Sequence, residues 1–428
     1  MSVQVLNVLM NGESVGQVHR RAERGRELLS FSYASNWLRS GPGVPLSASM
    51  PLSNEEYGHT LISNFLWGLL PENEMTLHAW ARRHKVGLGS GFGLLSNMGE
   101  DCAGAVQFVP PDRQDALRAG ALEPISEQAI GAELRRILDD PGGPGGLELG
   151  RFSLAGAQSK IALRAVDGGW AVPSGAEPTS HIIKPARADI PGHAENEHFC
   201  LMLAAELGFR AAHSKVHYFD GQSAIVVERY DRRVQDDALL RIHQEDMCQA
   251  LGVHPTNKYE NDGGPGLADM TGILGRVTTR HARDKEALFR AALLNLIIGG
   301  TDAHAKNYSI VYGRDQQAVL APLYDVASFL PYMKPGDRLP PFAMYFSGHG
   351  KDQTIMPRHI EAQANASGIP PEHGLAMLQD LLECTPEACA TTASACAKSG
   401  VCNPVIPQLA ELITGRVGWL KKRFGNGP

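Results

Sequence analysis

A polar loop is predicted at Gly299-Gly300-Thr301-Asp302-Ala303-His304-Ala305-Lys306-Asn307-Tyr308, directly after an apolar segment of helical spacing at 288–298. Two glycines at such a point are typical of a helix C-terminus. Asn307 follows Asp302 by five residues, and Asp325 follows Asn307 by eighteen. Phosphoryl transfer needs one carboxylate to orient a hydroxyl, and an amide and a second carboxylate to hold Mg²⁺. The alternative is a polar turn in which Asn and Asp are only turn formers.

The composition is that of an ordinary globular protein with two or three domains. The chain has 428 residues, of which 43% are hydrophobic and 20% are charged. Its formal net charge of -6 argues against autonomous nucleic-acid binding by a basic surface. Neither a membrane-spanning apolar run nor a signal-peptide pattern is present in the sequence. We therefore expect a cytoplasmic protein without a membrane partner.

The cysteine pattern fits a reducing compartment, because seven cysteines is an odd number and three of them are scattered singly. The other four cluster at Cys384, Cys389, Cys396 and Cys402. Their gaps are wider than the spacing of paired zinc ligands. Structural or incidental thiols are therefore favoured over a metal site.

Residues 1–110 are predicted to form a β-rich subdomain. Alternating apolar residues and turn signals indicate strands at 3–8, 15–18, 28–33 and 106–109, and two helices are expected at 61–69 and 74–84. The glycine-rich stretch at 87–93 resembles a phosphate-binding loop. No lysine lies between Lys85 and Lys160, so we interpret this stretch as a flexible turn.

Residues 111–150 are predicted to hold a helix at 126–138 and a connector rich in Gly and Pro at 140–146. Residues 151–233 then follow the element order of a kinase N-lobe. Paired strands are expected at 161–163 and 170–172, a strand at 181–185 that carries Lys184, a helix at 194–207, and strands at 215–219 and 224–228.

Residues 234–428 are predicted to be mostly helical. Helices are expected at 245–251, 267–277 and 286–298, a strand pair at 309–312 and 319–320, and largely helical structure beyond Asp325. The overall prediction is an α+β protein with a bilobal, protein-kinase-like fold behind a small β-rich N-terminal subdomain.

Several residues of the predicted N-lobe suit a nucleotide. Lys184 could pair with the α- and β-phosphates, held in turn by the helix residue Glu197. Small residues at 155–157 would let backbone N–H groups approach an anion. Backbone groups at 228–230 would form an adenine hinge. The alternatives are a solvated lysine, a small-residue bend and an ordinary strand exit. His304 has no second His or Cys nearby at ligand spacing, so zinc binding there is improbable.

The chain resembles the HipA-type serine/threonine kinases, the toxins of type II toxin–antitoxin pairs. The resemblance rests on ordered motifs in both halves of the chain, namely Leu69-Leu70-Pro71-Glu72-Asn73, the stretch 99–108, the stretch 152–160, Ile183-Lys184-Pro185, Asn196-Glu197, the stretch 227–232, the stretch 244–252, Lys258-Tyr259-Glu260, the stretch 262–266, the stretch 301–307 and Tyr324-Asp325. It covers the chain nearly from end to end, although few features can be aligned beyond about Ser347, and Tyr230 stands where Phe is common.

The resemblance implies a catalytic Asp302, Mg²⁺ ligands at Asn307 and Asp325, and autophosphorylation of Ser153 that silences the enzyme by expelling the covering loop. It implies ATP contacts from Ala155, Gly156, Ala157, Gln158, Ser159, Lys160, Lys184, Glu228, Arg229, Tyr230, His304, Ala305, Lys306, Asn307 and Tyr324. Its implied partners are a small helix-turn-helix antitoxin (HipB-like), operator DNA mainly through that antitoxin, and a protein substrate such as an aminoacyl-tRNA synthetase, whose phosphorylation causes growth arrest and persistence.

Two other functions compete with an active protein kinase toxin. One is a small-molecule kinase, because an Asp followed by an Asn five residues later also occurs in aminoglycoside and lipid kinases. The other is an inactive kinase-fold corepressor. The full N-terminal subdomain argues against the first. The presence of Lys184, Asp302, Asn307 and Asp325 argues against the second.

Overall fold

The computed structural model describes residues 4–23, 26–117, 119–140, 151–187, 189–236, 238–313 and 317–425. The chain forms two compact units, each assembled from three stretches. The first comprises Met1–Pro185, His217–Thr256 and Val311–Ala318, and the second comprises Ala186–Val216, Asn257–Ile310 and Val319–Pro428. No helix in the described ranges combines the length and apolar character that crossing a bilayer requires.

The strands, in chain order, are β1 Gln4–Met10, β2 Glu13–Glu23, β3 Arg26–Tyr33, β4 Asp101–Cys102, β5 Val106–Val109, β6 Gly120–Ile125, β7 Phe152–Ser153, β8 Ile161–Val166, β9 Gly169–Gly175, β10 His181–Pro185, β11 Ser214–Phe219, β12 Gln222–Glu228, β13 Arg232–Gln235, β14 Ala238–Arg241, β15 His243–Asp246, β16 Ser309–Tyr312 and β17 Ala318–Leu320. The α-helices are α1 Ser35–Ser40, α2 His59–Leu69, α3 Glu74–His84, α4 Gly91–Met98, α5 Glu127–Asp139, α6 His193–Glu206, α7 Met247–Ala250, α8 Leu267–Val277, α9 His281–Ile298, α10 Pro357–Ala366, α11 Pro371–Lys398 and α12 Val405–Gly425.

The first unit is built on two sheets. One has the order β3-β2-β1-β5, and the other has the order β11-β12-β10-β8-β9-β6. Helix α5 covers the six-stranded sheet because its apolar face, with Ile130 and Leu134, packs against Ile183 of β10 and Val226 of β12 in one buried cluster. This packing places β10, which carries Lys184, in the interior of the sheet.

The second unit is a helical assembly around α9. Every side chain from Ala291 to Ile298 is buried, as expected for a helix that neighbours surround. Helices α8, α11 and α12 contact it, and α10 and α6 pack on α11. The predicted α+β, kinase-like fold class is confirmed by this element content and by the structural similarity reported below.

The structure differs from the sequence predictions at several places, among them two predicted elements and one missed strand. The predicted helix at 245–251 begins later, because Glu245 and Asp246 end β15 and Asp246 caps the short α7 through a capping box with Gln249. The glycine-rich turn is confirmed only in its first half, since α4 begins at Gly91 and the Ser90 side chain caps it. Strand β6, which the sequence reading missed, pairs along the edge strand β9. The predicted connector at 140–146 lies outside the described residues after Asp140.

Two of the four clustered cysteines are buried and two are exposed. Cys389 and Cys396 are buried on α11, while Cys384 on the same helix and Cys402 beyond it are exposed. In the described part of the chain, no cluster of three or more His, Cys, Asp or Glu residues could hold a metal ion by itself.

Candidate active site

The predicted polar loop lies in the second unit, and two glycines connect it to α9. Gly299 has a φ of 68°, a left-handed conformation that favours glycine. A Cβ at Gly300 would lie 2.3 Å from Asn295 Oδ1, so this position also requires glycine. The Gly300 N–H donates to the Asn295 carbonyl at 2.9 Å. The chain therefore leaves the buried helix in a fixed direction.

Asp302 presents an exposed carboxylate on a backbone that the loop itself holds. Its carbonyl oxygen accepts from the His304 N–H at 2.8 Å and from Asn307 Nδ2 at 2.9 Å. Its side-chain Oδ1 accepts from the Tyr259 hydroxyl at 2.7 Å. An exposed carboxylate on a fixed backbone can receive or orient the hydroxyl of an incoming acceptor.

The side-chain amide of Asn307 is oriented by the hydrogen bond that its Nδ2 donates to the Asp302 carbonyl. Because Nδ2 is committed to Asp302, Oδ1 is the atom of this amide that could ligate a cation. The Asn307 N–H donates to the His304 carbonyl at 2.9 Å, which closes the turn. His304 is buried, and its ring meets the Tyr259 ring edge-on at 5.1 Å. The structure thus gives His304 a role in loop packing.

Asp325 is exposed and has a φ of 56°. This left-handed conformation is uncommon outside glycine, Asn and Asp, and non-glycine residues held in it cluster at functional sites. The preceding residue connects Asp325 to the loop, since the Tyr324 hydroxyl donates to the Lys306 carbonyl at 2.7 Å and bonds Ser309 Oγ at 2.6 Å. Asn307 and Asp325 both offer the hard oxygen atoms that Mg²⁺ prefers, so they fit the predicted metal ligands.

Asn196 of α6 is a positioning residue that sequence reasoning did not assign. Its side-chain amide makes two hydrogen bonds to the Ser328 backbone. Oδ1 accepts from the Ser328 N–H at 2.9 Å, and Nδ2 donates to the Ser328 carbonyl at 2.7 Å. The Ser328 hydroxyl donates to the Ile298 carbonyl at 2.6 Å. This chain of contacts connects the segment after Asp325 to the end of α9. The signal that could have identified this residue is an Asn inside a buried helix, because a buried polar side chain needs a hydrogen-bond partner.

The predicted phosphate loop lies in the first unit and is held at two points. Ser153 is fully buried, and its hydroxyl donates to the Leu69 carbonyl at 2.9 Å. Three residues later, the Gly156 carbonyl accepts from the Glu72 N–H at 3.1 Å. Gly156 has a φ of 112°, which only glycine adopts easily. The segment from Leu69 to Glu72, here called the docking turn, therefore holds both ends of the bend.

The other predicted loop residues lie close by. Lys160 Nζ donates to the Ala155 carbonyl at 2.5 Å, and Gln158 Nε2 donates to the Pro185 carbonyl at 3.3 Å, next to Lys184. Ala157 is exposed and Ser159 half-buried. Lys184 itself is only 8% exposed on β10. Glu197 is buried on α6 in the second unit, so its pairing with Lys184 stays a prediction.

In the predicted hinge, the backbone N–H and carbonyl of Arg229 both make hydrogen bonds within the protein. The Arg229 N–H donates to the Ser180 carbonyl at 2.9 Å, and its carbonyl accepts from the Arg232 N–H at 3.2 Å. Its guanidinium is buried against Asp231, Thr179 and the Cys102 carbonyl. A nucleotide contact through the backbone of Glu228, Arg229 and Tyr230 stays a prediction.

A buried ion-pair network stabilises the strand that pairs with β7. Asp101 of β4 accepts from Arg232 at 2.8 Å and from Arg241 at 2.9 Å through Oδ1, and from the Thr179 hydroxyl at 2.6 Å through Oδ2. Burial opposes ionisation, but Arg232, Arg241 and Arg229 outweigh it and hold the pKa of Asp101 well below its usual range. Because β4 pairs in parallel with Phe152 and Ser153, the network fixes the start of the phosphate loop.

Comparisons with known proteins match both halves of the chain. The HipA N-terminal domain matches residues 6–109, and the HipA-like C-terminal domain matches residues 152–389. The protein named "Putative kinase Y4mE" of Sinorhizobium fredii is 43% identical over 341 residues, which cover 78% of this chain and 79% of the relative. The serine/threonine-protein kinase toxin HipA of Shewanella oneidensis is 33% identical over 299 residues, 66% of each chain. The solved structure of Shewanella oneidensis HipA with HipB and operator DNA has a TM-score of 0.81 and 25% identity, and the match covers 97% of both chains.

Proposed function

We propose that this chain transfers the γ-phosphoryl group of ATP to a hydroxyl of a protein substrate. The premise is that the chain belongs to the HipA family of serine/threonine protein kinases. The observation that carries the proposal is the loop from Asp302 to Asn307. It presents an exposed carboxylate and an oriented amide oxygen on a backbone that hydrogen bonds within the loop hold in place.

In the proposed reaction, the acceptor hydroxyl approaches the exposed Asp302 carboxylate, which takes its proton. The acceptor oxygen forms a bond to the γ-phosphorus as the bond to the β–γ bridging oxygen breaks. The electron pair of that bond leaves with ADP. The protein contributes mainly by placing these groups, since phosphoryl transfer requires positioning and charge neutralisation more than covalent chemistry.

Asn307 Oδ1 and the Asp325 carboxylate would hold Mg²⁺ together with phosphate and water oxygens. Two protein ligands suit an ion that keeps several waters and binds chiefly through nucleotide phosphates. When bound, the ion would neutralise charge on the transferring phosphoryl group. Lys184 and the backbone at 155–160 would contact the phosphates.

Ser153 is proposed as the site at which the enzyme silences itself. Its hydroxyl donates to the Leu69 carbonyl in a fully buried position. Phosphorylation would remove that hydrogen and place about -1.5 to -2 charges against a carbonyl oxygen. A buried anion without a partner is costly, so the modified residue would leave this position and displace the loop that covers the phosphates.

The toxin role is proposed from the family. The Shewanella oneidensis relative was solved with HipB and operator DNA, and we propose a small helix-turn-helix antitoxin as the partner of this chain, with DNA contacted mainly through it. A translation factor such as an aminoacyl-tRNA synthetase is the proposed protein substrate, and growth arrest with persistence is the proposed result.

The wild-type chain and Asp302→Ala should behave oppositely in one paired experiment. Purified wild-type protein with labelled Mg-ATP should label itself on Ser153, and its expression should arrest growth unless the antitoxin is co-expressed. Asp302→Ala should do neither, because the group that receives the acceptor's proton is gone.

Ser153→Ala serves as the matched control, since it should lose the label but keep the growth arrest. Labelling by Asp302→Ala at the wild-type rate would contradict the assigned base. A wild-type protein that neither labels nor arrests growth, yet still represses with its antitoxin, would favour the corepressor function.

A further inference from the structure

Tyr259 contacts the proposed catalytic carboxylate directly. Its hydroxyl donates to Asp302 Oδ1 at 2.7 Å. In the described part of the second unit, this is the one hydrogen bond that the Asp302 side chain makes with the protein. Because a phenol that donates to a carboxylate makes a charge-assisted hydrogen bond, the contact belongs to the stronger class of such bonds.

The Tyr259 ring is fixed on two sides. The His304 ring meets it edge-on at a centroid distance of 5.1 Å with an interplanar angle of 84°. Lys258 Nζ lies 5.3 Å from the ring centroid, a cation–π contact. The backbone beside it is also anchored, since the Lys258 carbonyl accepts from the Ala305 N–H at 3.2 Å. The phenol is therefore a preorganised donor.

The loop that carries Tyr259 is attached to the chain around it. The Glu260 carboxylate accepts from the backbone N–H of Tyr345 at 2.7 Å. The Ala343 N–H donates to the Thr301 carbonyl at 3.0 Å, immediately before Asp302. These contacts hold the loop at 258–261 in register with the start of the catalytic loop.

We propose that Tyr259 is a positioning residue for phosphoryl transfer: it fixes the Asp302 carboxylate through Oδ1 and thereby directs Oδ2 to the acceptor hydroxyl. The inference rests on the proposed function. An exposed aspartate otherwise samples several rotamers, and transfer requires the acceptor within hydrogen-bonding distance of one oxygen. One fixed oxygen leaves the other in a defined direction, and small displacements of a reacting group are costly in rate.

The test compares Tyr259→Phe with Tyr345→Phe in the full chain. Each variant removes one phenolic O–H of this neighbourhood and keeps the ring, but only the first O–H reaches Asp302. Two rates are measured with Mg-ATP, steady-state hydrolysis with water as acceptor and single-turnover labelling of Ser153. We expect Tyr259→Phe to lower both rate constants by roughly tenfold or more, with the KM for ATP within about twofold of wild type. Tyr345→Phe should stay within about twofold on both rates.

Three results would overturn the inference. One is a Tyr259→Phe rate close to wild type. Another is an equal loss in Tyr345→Phe, which would show a general effect of the loop. The third is a faster Tyr259→Phe enzyme, which would show that the phenol blocks the place of the acceptor. A wild-type protein without hydrolysis or labelling would instead overturn the proposed function itself, before any variant is compared.

Discussion

Glu245 is a buried carboxylate in the first unit. Its oxygens accept from the Ser47 hydroxyl at 2.5 Å, from the Ala48 N–H at 2.8 Å and from the Tyr312 hydroxyl. Burial raises the pKa of Glu245 to about 7, although the hydrogen bonds from these three donors act to lower it. The charge of the neighbouring Asp246 adds to the increase in this pKa. The group therefore retains its proton in the folded state at pH values where the unfolded chain has lost it.

The contribution of Glu245 to the stability of the first unit should fall as pH rises from about 4.5 to 7. The buried His243, whose pKa burial lowers to about 4, acts in the opposite direction over much of this range, so the two contributions must be separated by substitution. Over that range the folded state binds more protons at Glu245 than the unfolded state, so the contribution of this group to the free energy of unfolding falls with pH. A pKa of about 7 against a usual 4.5 corresponds to about 3 kcal/mol across the window. Thermal unfolding of wild type and Glu245→Gln from pH 5 to pH 7.5 measures this contribution as the difference between the two proteins.

Glu245→Gln should remove the Glu245 contribution, so the stability of this variant should change more favourably with rising pH than that of wild type. The amide can accept from Ala48 and Tyr312 through its oxygen, while its NH₂ group donates to Ser47 Oγ, whose own hydrogen can turn to the Gln249 carbonyl at 3.1 Å. Replacing the exposed Glu55 by Gln is the control and should leave the wild-type slope. Equal slopes in wild type and Glu245→Gln would show that Glu245 does not titrate in this window.

At the scale of single residues, the sequence indicates a chemical role only for groups whose residue type and spacing suggest one. Asp302, Asn307 and Asp325 were predicted from residue type and spacing, and the structure places them on a connected loop and turn. Tyr259 and Asn196 have no such pattern of residue type and spacing of their own and occur only within longer motifs. Their roles depend on partners 43 and 132 residues away in the chain, and such contacts arise only through tertiary packing.

The docking turn is the element that connects the N-terminal subdomain to the phosphate loop. It supplies one carbonyl to the Ser153 hydroxyl and one N–H to the Gly156 carbonyl. An isolated bridge between Pro71 and Gly156 adds to these contacts. Backbone contacts of this kind are insensitive to side-chain identity, so a substitution that removes the N–H itself is needed to test them.

Glu72→Pro should release the phosphate loop, whereas Glu72→Ala should not. Proline removes the N–H that donates to Gly156, and Pro71 already lies in an extended bridge that a following proline tolerates. One lost hydrogen bond of about 1 kcal/mol predicts roughly fivefold faster amide exchange at 155–160. Ser153 should also be labelled sooner, because it leaves its buried position more often.

Hydrogen exchange on the full chain, followed by peptide mass analysis, measures this difference between the two variants. Glu72→Ala keeps the backbone donor and controls for loss of the side chain. If both variants exchange at the wild-type rate in this segment, the docking turn does not restrain the loop.

Among the elements, those with strong periodicity were predicted and those set by tertiary contacts were not. Helices α3 and α8 have the predicted bounds of 74–84 and 267–277, since their apolar spacing and end signals agree. Strand β6 was missed because its side chains are exposed along most of its length, so its sequence lacks an apolar alternation. Edge pairing with β9 stabilises it instead.

At the scale of the whole molecule, the fold class followed from element order, while the domain boundaries stay a prediction. The boundaries at 110, 150 and 233 cut the chain into consecutive pieces. Each compact unit instead gathers three separate stretches. A chain that returns to the same unit several times is specified by long-range contacts, which composition along the sequence does not reveal.

The balance of charge predicts that this chain alone does not bind operator DNA at physiological salt. DNA affinity comes largely from cations that neutralise phosphates, and the chain carries a net charge of -6. The charge of its basic C-terminal helix is partly neutralised, because Lys421 pairs with Glu383 at 2.7 Å. Specific binding should therefore require the antitoxin.

Fluorescence anisotropy of a labelled operator duplex tests this expectation. The chain alone at about 0.15 M salt should bind no tighter than the non-specific range of roughly 10⁻⁴ to 10⁻⁶ M, and the complex with the antitoxin should bind far more tightly. A scrambled duplex is the control for sequence. Tight binding by the chain alone, weakening steeply with added salt, would show that a local basic surface outweighs the net charge and that the chain contacts the operator itself.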